Sequence, residues 1–268
     1  MTFTIVDDPE SVPMRDAATV VLVRAGETAP IEVFLMRRVK QMEFAGGMTV
    51  FPGGGVDPRD AEADLAWTGP DEDWWAEQFH TEPATAQALV CAAVRELFEE
   101  CGVLLAARSD GSFPDTSALN AERAGLVDKS LSFAQFLRDH DLSLRADLLR
   151  PLAHWITPLG ERRRYDTRFF LAVLPEGQTA DGETTEAAET GWAAPAAAIE
   201  SWNDGKHFLL PPTWTQLRHL TKFDSVEAAF TVDRMIESIT PNVVSTGEKV
   251  RVEFDGEEEY RRTRTDLA

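Results

Sequence analysis

The sequence predicts an α+β fold, a mixed sheet with flanking helices, and three patterns carry that expectation. A β-branched apolar run at 17–24 and an alternating run at 31–38 flank the turn Gly26-Glu27-Thr28-Ala29-Pro30 and read as a hairpin. A long helical pattern at 84–101 is bounded by Pro83 and Gly102. Strand and helix patterns then alternate to about residue 238, which fits an α+β fold or an α/β/α sandwich.

In chain order, 48–51 is a short strand entering the turn Phe51-Pro52-Gly53-Gly54-Gly55. The helix at 84–101 has Thr81 as its expected N-cap, Pro83 in its first turn and Gly102 as its stop. A strand is expected at 103–106 and a helix at 133–140. Strands follow at 152–156, 168–174 and 187–193, and helices at 195–202, 213–220 and 226–238. Residues 1–240 read as one domain, with an insertion at about 57–82, and 241–268 as a charged C-terminal tail. No internal repeat or low-complexity linker interrupts the chain.

A hydrophobic content of 43% and seven tryptophans specify a packed core. No apolar run approaches the roughly 20 residues that span a bilayer, and residues 1–10 lack the basic and apolar regions of a signal peptide. The expectation is a soluble, cytoplasmic protein with no membrane partner. Cys91 and Cys101 fall ten residues apart on one helix, about 15 Å along its axis, too far for a disulfide. The net charge of −20 argues against nucleic-acid partners, whose phosphates require clustered lysines and arginines.

The chemistry concentrates in Arg95-Glu96-Leu97-Phe98-Glu99-Glu100-Cys101-Gly102-Val103. At about 100° per residue, Glu96, Glu99 and Glu100 share an arc roughly 100° wide, while Val90, Val94, Leu97, Phe98 and Cys101 lie opposite. A solvated helix face normally alternates charge signs at i and i+4. Here Glu96 and Glu100 are a like-charge pair costing roughly 0.2–0.5 kcal/mol, and Arg95 precedes Glu99 in the less favourable order. Clustered carboxylate oxygens of this kind suit Mg²⁺, Mn²⁺ or Ca²⁺.

At these residues the chain resembles the Nudix hydrolases, whose signature reads Gly, five residues, Glu, seven residues, Arg-Glu-apolar-any-Glu-Glu-any-Gly-apolar. The second half matches at every specified position from Arg95 to Val103. Strict register puts the early Glu on Gln87 and the Gly on Thr81, whereas the Phe-Pro-Gly-Gly turn makes Gly54 the natural start. Gly54 lies 41 residues before Arg95 where the signature has 14, so 27 residues are inserted. The resemblance implies a Nudix-type α/β/α sandwich with an insertion before the motif helix and extra C-terminal helices.

It also implies a site. Glu96, Glu99 and Glu100 would ligate Mg²⁺ or Mn²⁺ with the Gly53 carbonyl, and Arg95 would orient the glutamates. Downstream, Glu186-Ala187-Ala188-Glu189-Thr190-Gly191-Trp192-Ala193-Ala194-Pro195 is similar to a family segment facing the metal. Glu99, Glu186 and Glu189 are the alternatives for the base that activates water, with Glu186 and Glu189 equally readable as exposed acids. The implied reaction is metal-assisted, in-line hydrolysis of a diphosphate in a small nucleoside diphosphate conjugate.

The long insertion points to the branch containing mammalian mitochondrial and peroxisomal acyl-coenzyme A diphosphatases. Further support comes from Trp155-Ile156-Thr157-Pro158, 163–170 and Leu210-Pro211-Pro212-Thr213-Trp214. Arg38 and Gly47 match part of a coenzyme A diphosphatase signature, whose basic position is Glu43 here. Arg38, Arg163, Arg164 and Tyr165 are therefore the expected substrate-binding residues, although Arg162–Arg164 also read as a surface basic cluster. Trp74-Trp75 either anchor the insertion, the preferred reading, or form a lid over a base. Substrates of the same enzyme class such as NADH, ADP-ribose or a nucleotide sugar, and a non-catalytic ligand-sensing module, are the alternatives. A homodimer is the assembly the family implies, though no apolar stripe marks its interface.

Overall fold

The structure is a computed structural model and describes residues 8–27, 29–39, 45–61, 65–184, 186–246, 249–262 and 264. Its first half contains β1 (Met14–Arg24), β2 (Glu32–Arg38), β3 (Thr49–Val50), β4 (Gly53–Gly55) and β5 (Trp67–Thr68), then helices α1 (Glu72–Phe79) and α2 (Pro83–Cys101). Next come β6 (Ala106–Ala107), α3 (Asn120–Val127), α4 (Phe133–Asp139), β7 (Ser143–Arg145), β8 (Leu149–Ile156), β9 (Arg164–Val173) and β10 (Ala187–Ala193). The last third holds α5 (Pro195–Asn203), α6 (Pro211–Leu220), α7 (Val226–Thr231), β11 (Ser238–Ile239), β12 (Asn242–Thr246), β13 (Lys249–Glu253) and α8 (Glu257–Arg262).

The main sheet runs β10-β2-β1-β9-β8-β11, with β3 paired to β2 and β4 to β1. Because side chains alternate along β1, Ala18, Val20 and Leu22 enter one apolar layer while Val21 and Val23 enter the other. The first layer packs α1 and α2 through Trp75, Phe79, Leu97 and Phe98. The second packs α5, α6 and α8 through Trp202, Trp214 and Tyr260. The result is the expected α/β/α sandwich. Among the described residues, no helix is long and apolar enough to cross a membrane.

The motif helix α2 starts one residue earlier than predicted. Its N-cap is Glu82 and not Thr81, and Pro83 occupies N1, where a missing N–H costs nothing. Gly102 ends it in the left-handed region at φ 71°. Cys91 and Cys101 are buried and form no disulfide with each other, as the helical spacing required.

Three elements depart from the sequence expectation. The strand at 103–106 shifts to 106–107, because the Gln178 amide takes both backbone groups of Leu104, at 2.8 and 2.9 Å. The helix at 226–238 stops at Thr231, after which the chain delivers Ile236 to the opposite apolar layer. The segment expected as a charged tail carries β12, β13 and α8. Tyr260 anchors it, stacking on Trp202 at 4.6 Å and donating its hydroxyl to the Leu209 carbonyl at 2.8 Å.

The insertion also folds against the core. Asp71 caps α1 by accepting from the Trp74 N–H at 2.9 Å, and Trp75 is fully buried against Phe79 and Phe170. The tryptophan pair anchors the insertion and does not form a lid. Trp75→Ala is expected to lower the unfolding free energy by about 3–5 kcal/mol, with KM unaltered. Denaturant titration beside steady-state kinetics checks this, and a shifted KM at unaltered stability would assign the pair to the cleft.

Candidate active site

The exposed arc of α2 does not face bulk water. It lies against β4, and Glu100 is only 5% exposed. The Gly53 N–H donates to Glu100 Oε2 at 2.6 Å, which ties the glycine strand to the acidic arc. A Cβ at Gly54 would fall 2.5 Å from Glu96 Oε1, so any larger residue there would push this carboxylate out of its place.

Arg95 organises the cluster. Its Nε and NH2 donate to the two oxygens of Asp60, both at 2.9 Å, and NH1 donates to Glu96 at 2.8 Å and Glu99 at 3.0 Å. NH2 also reaches the Gly55 carbonyl at 3.0 Å. Burial works against the charge, but Asp60 and then the two glutamates raise the Arg95 pKa and keep it protonated.

Asp60 is the residue that sequence reasoning missed. It lies six positions after Gly54, the spacing at which the signature has its early acid, so the 27 extra residues fall between Asp60 and Arg95. Gln87, the strict-register candidate, does not line the cleft. The missed signal was counting forward from Gly54 instead of backward from Arg95.

The remaining acids are poorly compensated. Burial raises Glu96 to about 7 against the pull of Arg95, with repulsion from Glu99 adding to it. Burial also raises Glu99, opposed by Arg95. Glu100 is pushed well up by burial and by Glu96, only partly relieved by the Gly53 N–H.

The acids open into a cleft of about 2400 Å³. Glu186 lines it and accepts from Arg38 NH2 at 2.9 Å, and Arg38 lines it as well. Glu189 instead pairs with Arg37 at 2.9 Å on an exposed edge and stays outside, as Arg37 and Arg38 are neighbours on β2 and point to opposite faces. Arg163 and Tyr165 line the cleft, whereas Arg164 donates Nε to the Thr157 carbonyl at 3.2 Å and does not. Glu43 lies outside the described residues. Arg123 was not foreseen: it donates Nε to the Glu99 carbonyl at 3.0 Å and forks onto Asp181 at 2.8 and 2.9 Å. Nothing local in the sequence links α3 to a loop 58 residues away.

The sequence model of the NUDT19 Nudix domain matches residues 76–220, more than half of the chain. The chain belongs to this Nudix family. It is 29% identical to the human acyl-coenzyme A diphosphatase NUDT19 over 92% of its own length and 80% of the relative's. The Gallus gallus protein of the same name is 27% identical, over 83% of this chain and 72% of that one. A crystal structure of a NUDIX hydrolase from Alicyclobacillus acidocaldarius superposes with a TM-score of 0.71 at 28% identity, covering 84% of this chain and 99% of that one. This protein is thus a Nudix hydrolase, and α2 is its Nudix helix.

Nudix hydrolases use a divalent cation, and the donor set fits one. Glu96, Glu99 and Glu100 present hard oxygens, and Arg95 alone cannot balance them together with Asp60. The glycine strand leaves Glu96 room that any Cβ would fill. Among the described residues, no three acidic, histidine or cysteine side chains converge as a finished cage, because Arg95 draws Glu96 and Glu99 while the Gly53 N–H draws Glu100.

Two outcomes follow from this electrostatic arrangement. In metal-free protein, Glu96 binds its proton more tightly folded than unfolded, so its stabilisation is complete below about pH 4.5 and lost as pH rises through about 7. Mn²⁺ is therefore expected to raise Tm more at about pH 8 than at about pH 5, since ligation needs ionised carboxylates; a pH-independent increment would remove these acids from the cation site. Asp60→Asn is expected to lower kcat by about 10- to 100-fold through misplacement of Arg95, which steady-state kinetics would read, and a normal kcat would show that Arg95 needs no such partner.

Proposed function

We propose that the protein hydrolyses the diphosphate bond of a nucleoside diphosphate conjugate, coenzyme A or an acyl-coenzyme A, with Mg²⁺ or Mn²⁺ as cofactor. The observation that carries this reading is one buried arginine shared by Asp60, Glu96 and Glu99, beside Glu100, at the glycine strand of a long cleft. The names of the human and Gallus gallus relatives support the choice of substrate.

In this reading Glu96, Glu99 and Glu100 hold the cation, and Arg95 fixes their orientation through charge-assisted hydrogen bonds. The bound cation would supply charge neutralisation at the diphosphate oxygens and a more acidic water. Glu186, held by Arg38 in the cleft wall, is the base favoured by position, since Glu189 lies outside and Glu99 is engaged by Arg95. Arg163 and Tyr165 are assigned to substrate binding across the cleft. Residues 1–240 form one catalytic domain in this reading, and Pro241, Arg251, Val252, Tyr260 and Arg261 add to its cleft wall.

A substrate panel with Mn²⁺, comparing coenzyme A and acyl-coenzyme A with NADH, ADP-ribose and a nucleotide sugar, tests the proposal when products are weighed by mass spectrometry. Glu99→Gln and Glu100→Gln are each expected to cut turnover by about a hundredfold or more while the fold persists. Unaltered activity in both variants would move the catalytic centre elsewhere.

A further inference from the structure

The cleft is electrically two-sided. Among the described residues that line it, those from Arg38, the turn after β4, α2, α3 with the following turn, and the loop before β10 comprise eight acids and five cations. Those from the start of β1, the segment entering β9 and the C-terminal hairpin and helix comprise four arginines, Arg15, Arg163, Arg251 and Arg261, against Asp16 and Glu161. Asp16 is already paired with Arg168 at 2.9 Å.

Two of these arginines are fixed from behind. Glu257, 7% exposed, accepts from Arg251 Nε at 2.6 Å and NH2 at 2.9 Å, and from Arg261 NH1 at 3.2 Å. A buried carboxylate gripping two guanidiniums removes much of the rotamer freedom that makes surface arginines weak binders. Arg15 is exposed and has no ion-pair partner among the described residues.

This basic rim is separated from the cation-binding acids. Gly54 pairs with Ala18 on β1, and Ala18 pairs with Arg168 on β9, so β9 lies two strand spacings from the glycine strand, about 10 Å. Arg15 is three residues before Ala18 on β1, again about 10 Å away along the strand. A diphosphate held at the glutamates would thus sit about 10 Å of backbone from Arg15 on β1 and from β9, which Arg163 leads into. They would meet a different anionic group of the same ligand.

We propose that Arg15, Arg163, Arg251 and Arg261, the last two preset by Glu257, form a subsite for a phosphate monoester on the nucleoside half of the substrate. The proposal rests on the diphosphatase reading above and deepens it. The site would distinguish coenzyme A, which carries such a monoester, from conjugates with an unmodified ribose. Guanidinium forks match phosphate oxygens bidentately, and the strand starts and hairpin supply them from several directions.

The test uses the full chain loaded with Mn²⁺. It measures kcat/KM for coenzyme A against dephospho-coenzyme A, and by calorimetry the affinity for adenosine bisphosphate, the nucleotide half of coenzyme A, against AMP. The unaltered protein is expected to favour the monoester-bearing member about tenfold or more in both measurements. Arg163→Ala and Arg261→Ala should each erode that ratio, and together bring it within about threefold of unity, with Glu257→Gln intermediate. Arg163 lies on the segment entering β9 and not on the C-terminal hairpin or helix, so Arg163→Ala keeps the test alive if the C-terminal variants unfold. Equal kcat/KM values and equal affinities, or a preference that survives the double variant, overturn the subsite while leaving the diphosphatase reading intact. A preference for adenosine bisphosphate without hydrolysis of either coenzyme A form supports the subsite and defeats the substrate assignment.

Discussion

One guanidinium holds this site together. Arg95 bonds Asp60 before the insertion, Glu96 and Glu99 on its own helix, and the carbonyl of Gly55 on the neighbouring strand. It therefore fixes three separate pieces of chain at one point. Lysine could not do this, because an ammonium lacks the planar fork that meets both oxygens of Asp60 at once. One positive charge against Asp60 and three glutamates also leaves the cluster short of cations. Buried carboxylates in that position either take up protons or recruit a cation. The raised pKa values of Glu96, Glu99 and Glu100 are the first response, and the second is the chemistry a Nudix hydrolase requires.

Loop closure alone would weaken this arrangement, since the insertion separates Asp60 from Arg95 by 35 positions. Loop-closure entropy grows slowly, however. Lengthening the segment from eight residues to 35 is about two doublings and costs on the order of 1 kcal/mol. Burying Trp75 and Phe79 against Phe170 returns about 1.5–3 kcal/mol for each ring. Burying these rings thus exceeds the loop-closure cost, and Arg95 still meets both oxygens of Asp60 across the insertion.

What the sequence revealed was local. The strand alternation of β1 and β2, the Pro83 and Gly102 boundaries of α2 and the acidic arc from Glu96 to Glu100 all follow from neighbours within one or two turns. The parts that could not be read depend on distant partners. Asp60 has no local mark once the insertion displaces it from Arg95. Glu186 and Glu189 look equivalent in the sequence, and only their distant partners on β2, Arg38 in the cleft wall and Arg37 on the exposed edge, tell them apart. Residues 241–268 read as a tail because their charge density hides two anchors, Phe254 and Tyr260, whose partners Trp155 and Trp202 lie far upstream. Arg264 completes that contact by lying over the Trp202 ring at 4.3 Å.

The overall charge of −20 poses a final question, since the proposed substrate is itself an anion. Coulomb repulsion from the whole surface is screened over a Debye length of about 8 Å at physiological ionic strength. Charges farther than that from the cleft therefore contribute little to the approach of a ligand. Inside, the walls exclude water and the local groups dominate. There the strand starts and the C-terminal hairpin supply arginines, while the acids are gathered on the opposite face, where a divalent cation would offset much of their charge. A protein can thus be strongly acidic and still bind a polyanion, provided its acids within the cleft are those that a metal neutralises.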